Sequence, residues 1–172
     1  LNLPAAKKRV APHFAMHWGH TVPKTTLFDE LGNTSTLTVY AGALFEQIGA
    51  EPPPNSWAAE ASNAVQIATL EMNPGASVRL PPTAPRAHRT LYVYAGSDVQ
   101  IGERALSCPV AVEVLPDAEI PILAGRGSVK LLMLSGVPIQ WSLVSCTMKW
   151  SPVWEVKPPI FFLFWAEMER VS

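Results

Sequence analysis

Short β-type segments separated by turn sequences constrain the fold of this chain more than any other feature. Between residues 65 and 134 they recur about every ten residues, the spacing typical of an antiparallel sandwich or barrel. The predicted strands cover residues 36–41, 65–72, 77–80, 89–95, 99–101, 111–115, 119–123 and 129–134. Seventeen prolines oppose long helices, and a short helix is expected only near residues 58–61. The predicted fold class is therefore all-β.

The composition and net charge of the chain argue against several classes of function. With 48% apolar and 16% charged residues in 172, the chain has enough apolar material for one packed core. Thirteen basic residues against fourteen acidic ones leave a formal charge of −1, which gives no electrostatic footprint for nucleic acid or an anionic membrane. The longest apolar run, residues 160–166, is far shorter than the ~18–20 residues of a membrane span.

The histidines and cysteines do not form a metal-binding pattern. Cys108 and Cys146 have no CxxC spacing, so we expect two free, partly buried thiols in a reducing compartment. His13, His17 and His20 lie in a proline-punctuated segment with little regular structure. The sequence favours linker histidines without a metal, because no carboxylate follows until Asp29. The alternative is a metal site in a turn at His17 and His20. His88 precedes a strand, and we expect it to be exposed or bonded to backbone.

Other catalytic constellations are missing from the sequence. There is no G-x-S-x-G, P-loop or G-x-G-x-x-G motif, and Gly125-Arg126-Gly127 is better explained as a hairpin turn. The acidic residues are scattered without a spacing that suggests coupled acid–base work. Arg79 and Arg89 could point into a barrel mouth and bind an anion, but the sequence favours a position at its edge, with the charged ends in water.

Several segments resemble pirin-family proteins in their order and spacing. They are Leu1-Asn2-Leu3-Pro4-Ala5, Pro53-Pro54-Asn55-Ser56-Trp57-Ala58, the turn Asn73-Pro74-Gly75-Ala76, the strand His88-Arg89-Thr90-Leu91-Tyr92-Val93-Tyr94, and Leu131-Leu132-Met133-Leu134-Ser135-Gly136-Val137-Pro138-Ile139. The resemblance covers about four fifths of the chain and matches the linker and second domain of these two-cupin proteins. It implies a cupin-type double-stranded β-helix, an RmlC-like jelly roll.

The resemblance also implies where the family's metal chemistry lies. Pirins hold one metal ion, usually iron, in the first cupin through H-x-H and H-x-E motifs, and some members oxidise flavonols such as quercetin. This sequence contains neither motif, and it begins at Leu1 without an initiator methionine. We therefore expect a piece of a longer protein with no catalytic, cofactor or metal residues of its own, whose iron belongs to a first cupin.

The last part of the sequence departs from the family. Four of the six tryptophans follow residue 140, and residues 160–165 are apolar without alternation. One interpretation is a tail that packs across the barrel or fills the face left by a first cupin. The other, which the sequence favours, is an altered reading frame.

The expected domains are a linker over residues 1–35, a cupin over residues 36–139 and an atypical tail over residues 140–172. The expected function is a non-catalytic, metal-free cupin of a quercetin dioxygenase-like, cytoplasmic pirin. Its expected partner is the first cupin or another protein, with a flavonoid-like molecule bound by the parent and no direct nucleic-acid or membrane contact. The alternatives are a transcription-cofactor-like interaction module and a metal-free small-molecule-binding cupin.

Overall fold

Antiparallel strands are the main regular structure in the computed structural model, which describes residues 3–139 and the two-residue strand Val156–Lys157. The strands are β1 Lys24–Phe28, β2 Thr34–Ala41, β3 Ala43–Leu44, β4 Gln47–Ile48, β5 Gln66–Met72, β6 Ser77–Leu80, β7 His88–Ala95, β8 Asp98–Ile101, β9 Arg104–Ser107, β10 Val110–Val114, β11 Ile120–Ala124, β12 Val129–Gly136 and β13 Val156–Lys157. Single 3₁₀ turns occur at Ala5–Lys7, Trp57–Ala59 and Ala61–Asn63. Among the described residues, no helix has the length and hydrophobicity needed to cross a membrane.

The strands form two main antiparallel sheets. The larger sheet has the order β1-β2-β5-β12-β7-β10-β13, and the smaller has the order β6-β11-β8-β9. A separate two-stranded ribbon joins β3 to β4. Neighbours in the larger sheet are mostly distant in sequence, as when β12 lies between β5 and β7. This crossed connectivity is that of a jelly-roll sandwich rather than a meander.

Alternation along the strands places the core between the two sheets. On β12 the buried positions are Val129, Leu131, Met133 and Ser135, and the residues between them are more exposed. The smaller sheet contributes side chains such as Ile122 to the same cluster of buried apolar residues. Because side chains alternate between faces with a period of two, each sheet buries one face and presents the other to solvent.

All eight predicted strands are present, with ends that shift by a few residues at most. The 3₁₀ turns at Trp57–Ala59 and Ala61–Asn63 lie where a short helix was expected. Strand β1 was not predicted; it lies within residues 1–35, the expected linker, and pairs along its length with β2. Strands β3, β4 and β9 were also not predicted. The predicted aromatic tail lies outside the described residues, apart from β13.

Asp29 connects the β1–β2 hairpin to the smaller sheet. Its carboxylate accepts hydrogen bonds from the backbone N–H groups of Leu31, Asn33 and Ser77, the last being the first residue of β6. Partial burial raises the pKa of Asp29, but hydrogen bonds from Asn33, Ser77 and Leu31 outweigh it and hold the pKa below the ordinary value of 3.8.

Candidate functional site

One end of the sandwich carries a small, well-connected polar structure. The Trp57 indole Nε1–H donates to the carbonyl oxygen of Val137 at 2.7 Å, just beyond the end of β12. The Asn63 side-chain amide donates to the carbonyl oxygen of Trp57 at 2.8 Å. The backbone N–H of Val137 donates to the backbone carbonyl oxygen of Asn63 at 2.7 Å. These three bonds fix the 3₁₀ turns of residues 57–63 against the exit of β12.

Two surface clefts flank this structure. The first, of about 370 Å³, is lined by residues that include Trp57, Asn63, Arg86 and Val137. The second, of about 330 Å³, lies on the other side of Trp57 and includes Pro4, Lys7 and Glu60. Both volumes lie near the lower limit of small-molecule sites. Arg86 is exposed and gives the first cleft a positive group.

A row of inward-facing polar residues crosses the larger sheet at the same end. Arg89 on β7 lies directly opposite Ser135 on β12, and Ser135 lies opposite Gln66 on β5. We call these three residues the Arg89 row. Each of them has at least one buried polar atom without a hydrogen-bond partner among the described residues: Nε and Nη1 of Arg89, Oγ of Ser135 and Oε1 of Gln66.

Arg89 is the most unusual member of this row. Its side chain is completely buried, on the same face of β7 as Leu91 and Val93. Its Nη2 donates to the carbonyl oxygen of Pro81 at 2.8 Å. Burial lowers the pKa of the guanidinium below its ordinary value, although an arginine stays charged in a protein.

The two arginines considered in the sequence therefore differ. Arg79 is exposed, and its Nη1 lies 3.1 Å from the Oε1 atom of Glu119 in a surface ion pair. The expected edge position is thus wrong for Arg89, which points into the interior. The physical reason is strand parity, because Arg89 occupies the first inward-facing position of β7.

The histidines lie apart from this site. His13, His17 and His20 are exposed in the segment before β1. His88 is half-exposed as expected, but its Nδ1 lies 3.3 Å from the Oε1 atom of Glu113 on β10 rather than beside backbone alone. Within residues 3–139, no three His, Cys, Asp or Glu residues are grouped as a metal site would need.

The residues at the centre of the sandwich do not fit an iron site. Inward-facing positions on the central strands are occupied by apolar side chains such as Leu70, Leu91 and Met133. Iron in such proteins is held by imidazole and carboxylate groups, which these positions lack. Cys108 is a free, partly buried thiol, as predicted, and Cys146 lies outside the described residues.

Exposed apolar residues occur together in the segment before β1. Phe14, Met16 and Trp18 are 80%, 54% and 59% exposed, and they occupy alternate positions in a segment without regular secondary structure. We call these three side chains the apolar stripe.

No protein-family model and no curated protein sequence matches this chain. Its structure is similar to that of quercetin 2,3-dioxygenase from Acinetobacter baumannii, with a TM-score of 0.64 and 17% identity over 99% of this chain and 54% of that chain. A second structure of quercetin 2,3-dioxygenase from that organism gives a TM-score of 0.58 and 18% identity over 85% of this chain and 45% of that chain. A Geobacillus kaustophilus protein gives a TM-score of 0.61 and 20% identity over 83% of this chain and 54% of its own.

The chain thus spans about half the length of the solved structures that it matches. At these identities the likeness concerns the fold. Together with the antiparallel sandwich described above, it shows that this chain has a cupin-type β-sandwich fold, as the sequence predicted.

Proposed function

We propose that this chain is a pirin-like cupin domain that acts as a scaffold and docks a companion cupin, which carries the iron. The apolar stripe is the observation that carries the proposal. Three large apolar side chains within residues 14–18, each more than half exposed, are typical of a surface that another protein covers.

The segment that carries the apolar stripe suits docking as an added strand. The structure assigns residues 11–18 to no strand or helix. Such a segment can join the edge of another sheet, with backbone hydrogen bonds giving affinity and alternate side chains giving specificity. A cupin offers such an edge, and the similar solved proteins are about twice the length of this chain.

A scaffold role also agrees with the interior of the sandwich. Leucine, valine and methionine fill the inward positions of the central strands, so the described residues offer iron no ligand set there. The iron, and any oxidation of a flavonol-like substrate, therefore belongs to the companion cupin in this proposal. A cytoplasmic location is part of it, because the free thiol of Cys108 suits a reducing compartment.

Site-specific photo-crosslinking in cells of the source organism tests the docking surface. A photoreactive phenylalanine replaces Phe14 in the apolar stripe, and in a matched control it replaces Phe28, which is 73% exposed on β1. We expect the probe at position 14, and not at position 28, to crosslink to a cupin sequence with H-x-H and H-x-E motifs. A crosslink to such a cupin supports the proposal whether the cupin is joined to this chain or is a separate protein.

Two results would overturn the proposal. One is a crosslink from position 14 to a protein without a cupin, such as a transcription factor, or no crosslink at all. The other concerns catalysis, and it is measured as the iron content and quercetin turnover of the purified chain. Stoichiometric iron with turnover, abolished by replacing His13, His17 and His20 with alanine, would make this chain itself the oxygenase.

A further inference from the structure

The Arg89 row contains buried N–H donors for which the described residues provide no acceptor. A guanidinium has five N–H groups, and the three on Nε and Nη1 of Arg89 lie buried without an acceptor. Leaving a buried charge without its hydrogen bonds is strongly destabilising, and natural proteins almost always pair such groups. A complementary anionic group is the partner that this position requires.

Ser135 adds a second donor beside the guanidinium. It is 8% exposed and lies directly across from Arg89 on the neighbouring strand, and its hydroxyl has no hydrogen-bond partner. Directly opposite residues of antiparallel strands have Cα atoms about 4.5–5.5 Å apart and point to the same face. A guanidinium and a hydroxyl side by side can both donate hydrogen bonds to one carboxylate.

The first cleft lies close in sequence to both residues. Its lining includes Arg86 and Val137, which lie three residues before Arg89 and two residues after Ser135. The cleft therefore opens at the end of the sandwich where the Arg89 row lies. Arg86 is exposed there and would attract an anion toward the same end.

We propose that Arg89 and Ser135 form a buried carboxylate-binding site at this end of the sandwich. The carboxylate comes from a small organic acid that enters at the end of the sandwich where the first cleft opens. Gln66 borders the site, with its Nε2 donating to the carbonyl oxygen of Ala43 and its Oε1 left as an acceptor.

Side-chain NMR of the full chain tests the site with acetate as the probe. A buried Arg89 Nε–H exchanges slowly enough to give its own resonance, which Arg89→Lys identifies by removing it. We expect acetate at constant ionic strength to shift this resonance saturably. Ser135→Ala then weakens acetate binding about tenfold, the effect of losing one hydrogen bond to a charged group. Arg79→Lys, at an exposed ion pair, leaves acetate binding unchanged.

Two results would overturn the proposal. One is an Arg89 Nε resonance that acetate does not move. The other is a resonance that chloride moves as much as acetate does. Ser135→Ala keeps the test usable if Arg89→Lys does not fold.

Discussion

Leu131 and Leu134 offer a direct test of how the sandwich is packed. Both are leucines on β12, three residues apart, so they point to opposite faces of the larger sheet. Leu131 is 1% exposed and lies between Leu70 and Val93 on the neighbouring strands, whereas Leu134 is 38% exposed. Replacing each with alanine removes the same group from two different environments.

The expected losses follow from burial. Leu131→Ala removes three buried carbon groups, a transfer cost of about 2.4 kcal/mol at roughly 0.8 kcal/mol for each. The cavity left among Leu70, Val93 and their neighbours raises the cost to about 3–5 kcal/mol. Leu134→Ala loses only part of the transfer term and leaves no enclosed cavity, so its cost is about 1–1.5 kcal/mol.

Urea unfolding followed by circular dichroism measures both losses. The slope of the free energy against urea should stay unchanged in both variants, because neither replacement alters the surface exposed on unfolding by much. Equal losses of stability in the two variants would refute the assignment of one buried face and one solvent face. They would show instead that the outer face of the larger sheet is covered as closely as the core.

Two further predictions test how the turns are held. Because hydrogen bonds keep the pKa of Asp29 below 3.8, its contribution to stability is present above pH 3.8 and is lost as the pH falls through the folded pKa. The Tm of the Asp29→Asn variant should therefore decrease less steeply than that of the original protein as the pH falls below about 4. The same dependence of Tm on pH in both proteins would contradict this assignment. Gly42→Ala should destabilise more than Gly75→Ala in thermal unfolding. Both glycines have a φ of +74°, but only at Gly42 would a Cβ collide with backbone, at the carbonyl oxygen of Val65. Equal losses would exclude that collision as the cause.

The strands that sequence patterns predicted are those with an inward apolar row. β7 and β12 alternate buried and more exposed residues over eight positions each, and such a row leaves a clear signature in the sequence. β1 and β9 were missed because they are edge strands without buried residues. Their place in the sheets depends on pairing with distant or neighbouring strands, which composition does not record.

The Arg89 row was missed for a different reason. A lone arginine at the start of a strand is usually exposed, so residue type favoured an edge position. The alternate spacing of Arg89, Leu91 and Val93 predicts that all three side chains lie on the same, inward face of the strand, and this was the better signal. Neither signal could have identified Ser135 as its neighbour, because that pairing depends on the register between β7 and β12. The apolar stripe was missed because only the folded chain shows which apolar residues find no cover.

Trp57 fixes the end of the sandwich at which the Arg89 row lies. It borders both clefts, and its indole hydrogen bond to Val137 holds the segment that leaves β12 just after Ser135. The row itself belongs to the buried face of the larger sheet, where a charged group is costly. The apolar centre of the sandwich supplies the stability that the buried guanidinium costs.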